Sequence, residues 1–302
     1  MKSLSGRELA LSLAAQEKNH AIMIEGERGC GKRTLARKMA AAMLCSARTQ
    51  DGLPCGKCIG CMKVEAGTHP DITVIDNGSK MITVDEIRKI RTAAGIRPNE
   101  ADVRLFIICD GQNMNVQAQN ALLKVLEEPP GQVRFIITCD NMNRLLETIV
   151  SRTVPVKIGG FSEEKCVGIL KQHFPEEDTD KLMELCRMFE GNVGRCVEIL
   201  GDGEDRHSAE LLKLSEAAYI AAGKPSGWEL LEILAKFEKD KDGFVRFLEF
   251  LRLRCRCAGQ NINTDRRHIA MSEAIDRARS DMEKNLYFPL ILSAFAAKLR
   301  EC

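Results

Sequence analysis

Residues 26–34 read G-E-R-G-C-G-K-R-T, a stretch with the spacing of a phosphate-binding loop, and this stretch decides the predicted fold. In such a loop the glycines let the backbone wrap a phosphate and the lysine reaches the outer phosphates. The next residue, Ser or Thr, binds Mg²⁺. Gly26, Gly31 and Lys32 are in register here, but the magnesium position holds Arg33. Because an arginine cannot ligate a cation, the sequence predicts a phosphate-binding fold with impaired Mg²⁺ coordination.

Asp110 is a second candidate position for magnesium binding, and the residue that follows it also differs from the usual ATPase pattern. The run L-F-I-I-C-D ends at Asp110, where an acid can interact with Mg²⁺, and Gly111 follows it. ATPases of this kind usually carry a glutamate there to orient the attacking water, and glycine has no side chain to do so. The alternative is that Asp110 only caps the next helix. The losses at Arg33 and Gly111 predict impaired hydrolysis at a site where Gly29 and Thr34 are further candidate nucleotide contacts.

The first half of the chain alternates short apolar runs with helical patterns, which favours a parallel sheet covered by helices. The predicted strands are 20–25, 72–75, 103–109, 133–139 and 153–158. An apolar stripe from Ala118 to Leu126 predicts one of the helices between them. Thr83, with Glu86 three residues on, predicts a capping box that opens another.

After residue 158 only helical patterns remain. Ser162 is placed to cap a first helix, and 201–205 is a polar, glycine-bearing linker. The other predicted helices are 178–189, 194–200, 208–222, 227–238, 242–258, 266–281 and 286–300. The sequence therefore predicts an α/β domain over 1–158, a small helical domain over 159–203 and an all-α domain over 204–302.

Composition limits the class of protein. The chain has 302 residues, 44% of them hydrophobic and 29% charged, which suits a globular protein of two or three domains. A net charge of +1 argues against a dedicated polyanion-binding domain. The N-terminal stretch lacks the uncharged core of a signal peptide, and no run approaches the ~20 apolar residues that span a bilayer. We therefore expect a cytoplasmic protein without a membrane partner, whose thirteen cysteines stay reduced.

Four of these cysteines have the spacing of a metal site. Cys45, Cys55, Cys58 and Cys61 form two overlapping C-x-x-C steps, with turn-forming glycines between them. Four thiolates suit one tetrahedral Zn²⁺ and leave no open position for chemistry, so the predicted zinc in the insertion 45–61 is structural. The alternatives are free cysteines or a disulfide framework, and spacing alone does not separate zinc from iron. The other nine cysteines are interpreted as core or surface thiols.

Several motifs follow one another in a specific order. After the phosphate loop come C-x₉-C-x₂-C-x₂-C, E-A-G-T-H-P-D, I-T-V-D-E-I-R, N-A-L-L-K-V-L-E-E-P-P and T-I-V-S-R-T. This succession resembles the bacterial DNA polymerase III clamp-loader subunits of the AAA+ superfamily. The resemblance implies an AAA+ P-loop domain with a zinc-binding insertion, a helical lid domain and a C-terminal collar domain. Since Arg33 and Gly111 depart from the ATP-hydrolysing gamma/tau pattern, the chain is more similar to delta-prime, whose nucleotide site is typically decayed.

The resemblance also implies roles for two arginines. Ser151-Arg152-Thr153 matches the family's S-R-C motif, which implies that Arg152 reaches into a neighbouring subunit's ATP site, where such a residue is worth ~10³–10⁵ in rate. From the residues alone, the favoured interpretation of Arg152 is a surface arginine in an ordinary ion pair. G-N-V-G-R, ending at Arg195, resembles the family's second sensor, which implies a nucleotide contact or else a structural role. The first sensor maps to 138–140 without one residue being assigned.

The implied function is that of a non-catalytic or weakly nucleotide-binding delta-prime subunit that helps to load a sliding clamp on primed DNA. Its implied partners are the gamma/tau and delta subunits, with the clamp and the DNA reached through the complex. The implied ligands are structural Zn²⁺ and, with impaired Mg²⁺ coordination, ATP or ADP. Two alternatives stay open. One is an active gamma/tau-like ATPase in which Thr34 or a water takes the magnesium position, and the other is a zinc-stabilised scaffold protein outside replication.

Overall fold

The fold is that of a computed structural model of the chain, which describes residues 5–16, 18–49, 52–201, 206–222, 228–258, 265–284 and 286–301. The chain divides into two compact units, Met1–Gly159 and Gly160–Cys302. This division lies one residue beyond the predicted end of the first domain. Residues 202–205 of the predicted linker 201–205, and with them the predicted boundary at residue 203, lie outside the described residues, so the separation of lid and collar stays a prediction.

The first unit is built on a parallel sheet. Its strands are β1 (Ala21–Glu25), β2 (Ile72–Ile75), β3 (Arg104–Ile108), β4 (Val133–Cys139) and β5 (Val154–Lys157). They are ordered β2-β3-β4-β1-β5, and every neighbouring pair is parallel. The predicted parallel sheet is confirmed, and each predicted strand lies within one residue of the observed bounds.

Helices cover both faces of this sheet. They are α1 (Gly6–Ala14), α2 (Lys32–Leu44), α3 (Ile59–Glu65), α4 (Val84–Ala94), α5 (Val116–Glu127) and α6 (Glu147–Val150). Side chains alternate across a strand, so Ile22 and Ile24 pack in a core with α1 and α2, whereas Met23 packs in a second core with α4 and α5. The capping box of Thr83 and Glu86 at the start of α4 is confirmed.

The register of the strands brings their carboxyl ends to one edge. Glu25 of β1 lies beside Cys139 of β4, and Ile75 of β2 lies beside Ile108 of β3. The loops that follow these four strands therefore open at the same edge, where open parallel sheets usually bind ligands.

The described part of the second unit is helical throughout. Its helices are α7 (Glu163–His173), α8 (Thr179–Met188), α9 (Val193–Leu200), α10 (Arg206–Ala221), α11 (Trp228–Ala235), α12 (Lys241–Ala258), α13 (Asp265–Glu283) and α14 (Phe288–Arg300). All eight predicted helices are present. The predicted cap at Ser162 is wrong in detail, because α7 begins there but the Ser162 side chain makes no capping hydrogen bond. Across the described residues, helices of the length and apolarity needed to cross a bilayer are absent.

Candidate functional site

The predicted phosphate loop joins β1 to α2. Gly29 and Gly31 have left-handed φ angles of 87° and 85°, which glycine adopts without steric strain. A Cβ on Gly26 would lie 2.6 Å from the carbonyl oxygen of Ile158, so only glycine fits at that position. The loop therefore has the backbone form that its spacing predicts, and it leads into the N-terminus of α2, where the positive end of the helix dipole suits an anion.

Lys32 is buried, with 6% of its side chain exposed. Its Nζ donates to the carbonyl oxygens of Gly26 at 2.6 Å and Glu27 at 3.1 Å. It also forms an ion pair with Oδ1 of Asp140 at 2.5 Å. Since an ammonium group has three protons, each one has a partner in the protein. The ammonium group of Lys32, which the motif predicts to bind a phosphate, is therefore bound by oxygen atoms of the protein itself.

Arg33, at the magnesium position, lies between two carboxylates. Its Nη2 atom is 2.7 Å from Oδ2 of Asp110 and 2.7 Å from Oδ1 of Asp76. Burial acts to lower the pKa of Arg33, but the hydrogen bond and charge of Asp110 and the charge of Asp76 outweigh it, so the pKa is raised. Asp110, predicted to interact with Mg²⁺, is thus bound to a side-chain cation.

Three carboxylates meet these two cations at the edge of the sheet. Asp76 follows β2, Asp110 follows β3 and Asp140 follows β4, and these strands are neighbours. Three carboxylates and two cations give a formal charge of −1, which disfavours a polyphosphate that arrives without a metal ion. The sequence interpretation assigned only Asp110. Asp76 and Asp140 also follow predicted strands directly, and that position is the signal that would have found them.

Gly111 lies against the sheet. It is buried, and a Cβ added to it would lie 2.9 Å from Cγ2 of Ile137. Asp110 just before it has a left-handed φ of 54°, and its backbone N–H donates to Oγ1 of buried Thr138 at 3.0 Å. Position 111 therefore lacks room for the usual glutamate, and Thr138 supports the strand end. Thr34 is exposed on the first turn of α2, so the structure leaves its predicted nucleotide contact a prediction.

Arg152 lies two residues after the end of α6, in a different environment. Its Nη2 is 2.8 Å from Oε1 of Glu127, the last residue of α5, and its Nη1 donates to the carbonyl oxygen of Thr148 at 3.0 Å. About a third of the side chain is exposed. The neighbouring Thr153, which stands where the family motif has cysteine, is buried and bonds to the carbonyl oxygen of Val150. The ion pair anticipated from the residues is present, and the guanidinium has further N–H donors for another acceptor.

Arg195 belongs to the second unit. It lies in the first turn of α9, where its backbone N–H donates to Oδ1 of the N-cap residue Asn192 at 3.2 Å. A contact between Arg195 and a nucleotide stays a prediction.

The four predicted metal ligands come together between α2 and α3. The sulfur atoms of Cys45, Cys55, Cys58 and Cys61 all lie within 4.8 Å of one another. Those of Cys45 and Cys58 are 3.8 Å apart, close to the ~3.8 Å between sulfurs of a tetrahedral site with ~2.3 Å Zn–S bonds. Backbone N–H groups of Cys61 and Ser46 lower the pKa of Cys58 to about 6, whereas burial raises the pKa of Cys61 to about 12. The arrangement fits four-sulfur coordination, and zinc itself stays a prediction.

A second cysteine cluster was not predicted. Cys166, Cys186 and Cys196, on α7, α8 and α9, have sulfur atoms within 4.8 Å of one another. No local spacing in the sequence joins these three residues, so the sequence alone predicts only separate thiols.

Comparisons with known proteins agree with this architecture. The family model described as DNA polymerase III, delta subunit, matches residues 3–162. The delta-prime subunit of Pseudomonas aeruginosa is 30% identical over 225 residues, 72% of this chain and 68% of that protein. The chain belongs to the DNA polymerase III delta-prime family of clamp-loader subunits.

Other delta-prime and gamma relatives match over different extents. The delta-prime subunit of Bacillus subtilis is 28% identical over 74% of this chain and 68% of its own length. The gamma subunit of Buchnera aphidicola is 34% identical over 54% of this chain, and the match spans only 44% of that relative. A crystal structure of a gamma subunit-related protein from Thermotoga maritima covers 98% of this chain and 99% of its own, with a TM-score of 0.54 and 19% identity. The last comparison supports the predicted clamp-loader fold alone.

Proposed function

We propose that this chain acts in the clamp loader as a delta-prime subunit that hydrolyses no ATP itself and supplies Arg152 to the ATP site of a neighbouring subunit. The observation that carries the proposal is the position of Arg33 between Asp76 and Asp110. Phosphoryl transfer needs a metal ion that bridges phosphate oxygens and neutralises developing charge. A guanidinium that already pairs with Asp110, the candidate metal ligand, and with the neighbouring Asp76 opposes the binding of that ion.

The water-activating position supports the same conclusion. Gly111 has no side chain, and the contact with Ile137 leaves no space for one. The chain therefore lacks both the usual magnesium ligand and the usual water-orienting acid. The loop glycines and Lys32 would still bind ATP or ADP in this role. For that, a phosphate of the nucleotide must replace Asp140 as the partner of Lys32.

Arg152 has the properties that a group acting in trans requires. It is partly exposed, and its main partner, Glu127, is itself 47% exposed. An exposed ion pair of this kind is worth about 0–1 kcal/mol, so it is readily exchanged for a stronger bond to phosphate. The γ-phosphate of a neighbouring subunit's ATP would accept from the guanidinium, which stabilises the charge of the transition state.

Assembly with gamma/tau and delta subunits would use the C-terminal helices. Apolar side chains are exposed on α11 and at the start of α14: Trp228 at 69%, Leu231 at 45%, Tyr287 at 74% and Leu290 at 63%. Helices α11 and α14 are in contact, and large apolar side chains exposed on neighbouring helices are typical of an interface. Through that complex the chain would help to place a sliding clamp on primed DNA. The four-cysteine cluster would hold structural zinc that ties α2 to α3.

The test is reconstitution with the gamma/tau and delta subunits of the same organism. The isolated chain should hydrolyse no ATP, and its addition should complete a complex with clamp- and DNA-stimulated ATPase activity. Turnover by the isolated chain that is abolished by Lys32→Ala would instead establish an active ATPase. Failure to bind either subunit would favour a scaffold outside replication.

A further inference from the structure

The second cysteine cluster lies in the core of the helices α7, α8 and α9. Cys166 and Cys196 are 0% exposed and Cys186 is 1% exposed. Their sulfur atoms converge within 4.8 Å although the residues lie on three different helices. Three sulfur atoms that converge in this way form a ready set of ligands for one thiophilic centre.

The surroundings of the cluster decide what charge it tolerates. Apolar residues form the rest of this core, among them Leu170, Leu182, Leu185 and Phe189. Burial raises the pKa of Cys166 to about 11 and those of Cys186 and Cys196 to about 12, and the charge of Glu163 adds to the rise at Cys186. Burial therefore favours the neutral thiol form of all three groups. A ligand that leaves a net charge in this core would carry a large desolvation cost.

Charge then distinguishes the candidate ligands. Three thiolates around Zn²⁺ carry a net charge of −1, and tetrahedral zinc needs a fourth ligand, which the candidate metal-binding groups of the described residues do not supply. Three thiolates around Cu⁺ carry −2. A trivalent centre bound by three thiolates is neutral, so the core keeps the charge that it has with three thiols.

We propose that Cys166, Cys186 and Cys196 form a binding site for a soft trivalent metalloid, with arsenite as the probe. Neutral arsenous acid would react with the three thiols. Three As–S and three O–H bonds form, three As–O and three S–H bonds break, and three water molecules leave without any change of oxidation state. Local opening of the helices admits the small neutral reagent. Once bound, the arsenic ties α7, α8 and α9 together.

The test compares three proteins, all saturated with zinc beforehand: the unaltered chain, Cys186→Ala and Cys109→Ala. Cys109 is a matched control because it is buried and has a raised pKa but belongs to neither cysteine cluster. After incubation with arsenite and desalting, bound arsenic is counted by elemental analysis. The unaltered chain and Cys109→Ala should retain one more arsenic per chain than Cys186→Ala. The cluster of Cys45 to Cys61 is intact in all three proteins, so its contribution cancels.

A second measurement needs no variant. After arsenite treatment and unfolding, Cys166, Cys186 and Cys196 should resist alkylation, whereas Cys109 should be alkylated, as read by peptide mass spectrometry. Equal arsenic content in all three proteins, or full alkylation of the three cysteines, would overturn the proposal. Zinc or copper found on these three residues in the protein as purified would also overturn it.

Discussion

The phosphate loop and the corner formed by Arg152 and Glu127 both carry basic side chains, but these side chains have different surroundings. At the loop, Lys32 is 6% exposed with three acceptors, and Arg33 lies between two carboxylates. At the corner, Arg152 has one carboxylate partner, which is itself half exposed. The difference teaches that the loop neutralises its cations internally, whereas Arg152 stays about a third exposed beside a single, half-exposed carboxylate.

The largest effect is expected when the available cation is removed. Arg152→Ala should lower turnover at the ATP site that faces this subunit by ~10³-fold, since the transition-state charge loses its cation. Turnover is measured in a reconstituted complex whose remaining ATP sites are inactivated. Arg144→Ala, which removes an exposed arginine of the same unit, is the control and should leave turnover unchanged. Equal turnover in all three complexes would contradict the proposed role of Arg152.

Removal of the buried lysine should affect folding and leave catalysis unchanged. Lys32→Met leaves two carbonyl oxygens and Asp140 without their ammonium partner, which should lower the free energy of unfolding by about 2 kcal/mol. Denaturant unfolding measures this loss, with the exposed Lys38→Met on the same helix as control. ATPase activity of the assembled complex should stay unchanged. A fall in activity like that of Arg152→Ala would mean that the loop binds a nucleotide that the complex needs.

Replacing Arg33 by a hydroxyl-bearing residue should restore Mg²⁺ binding, because the ion pairs of Arg33 with Asp76 and Asp110 are lost. In Arg33→Thr the carboxylates of Asp76 and Asp110 are released, so nucleotide should bind about tenfold more tightly with Mg²⁺ than with a chelator, or ~1.4 kcal/mol. Titration of the variant with a fluorescent ADP analogue measures the two affinities. Arg37→Thr, one turn further along α2, should show no such dependence on Mg²⁺. An Arg33→Thr protein that also shows none would argue against the charge explanation.

The smallest effect is expected when the carboxylate of Glu127, the partner of Arg152, is neutralised. Glu127→Gln weakens the pair with Arg152, and because both groups are substantially exposed the free energy of unfolding should fall by only ~0–1 kcal/mol. The adjacent, exposed Glu128→Gln is the matched control in the same denaturant titration. A loss above ~2 kcal/mol for Glu127→Gln would show that Arg152 is fixed in place and not free to reach a neighbour.

Local sequence patterns were sufficient for much of the fold and for one cysteine cluster. The five strands, the capping box at Thr83 and the loop glycines each depend on residues close together in the chain. The spacing of Cys45 to Cys61 is equally local, and the structure brings all four sulfur atoms together.

The pairings within the site depend instead on the order of the strands. Lys32 and Asp140 are 108 residues apart, and Arg33 and Asp110 are 77 apart. Local periodicity does not encode which strands become neighbours, so these partners were not predicted. The cluster of Cys166, Cys186 and Cys196 was missed for a similar reason, since it exists only once three helices have packed.

The contact between Gly111 and Ile137 limits which side chains position 111 can accept. A glutamate at position 111 would place its Cβ 2.9 Å from a methyl group of a fully buried, β-branched side chain. Such a side chain has few alternative rotamers, so a smaller residue at position 137 would be required as well. Each change alone would be harmful, because one overpacks the sheet and the other leaves a cavity in it. An acidic side chain at position 111 therefore requires two coordinated substitutions, one at each side of this contact.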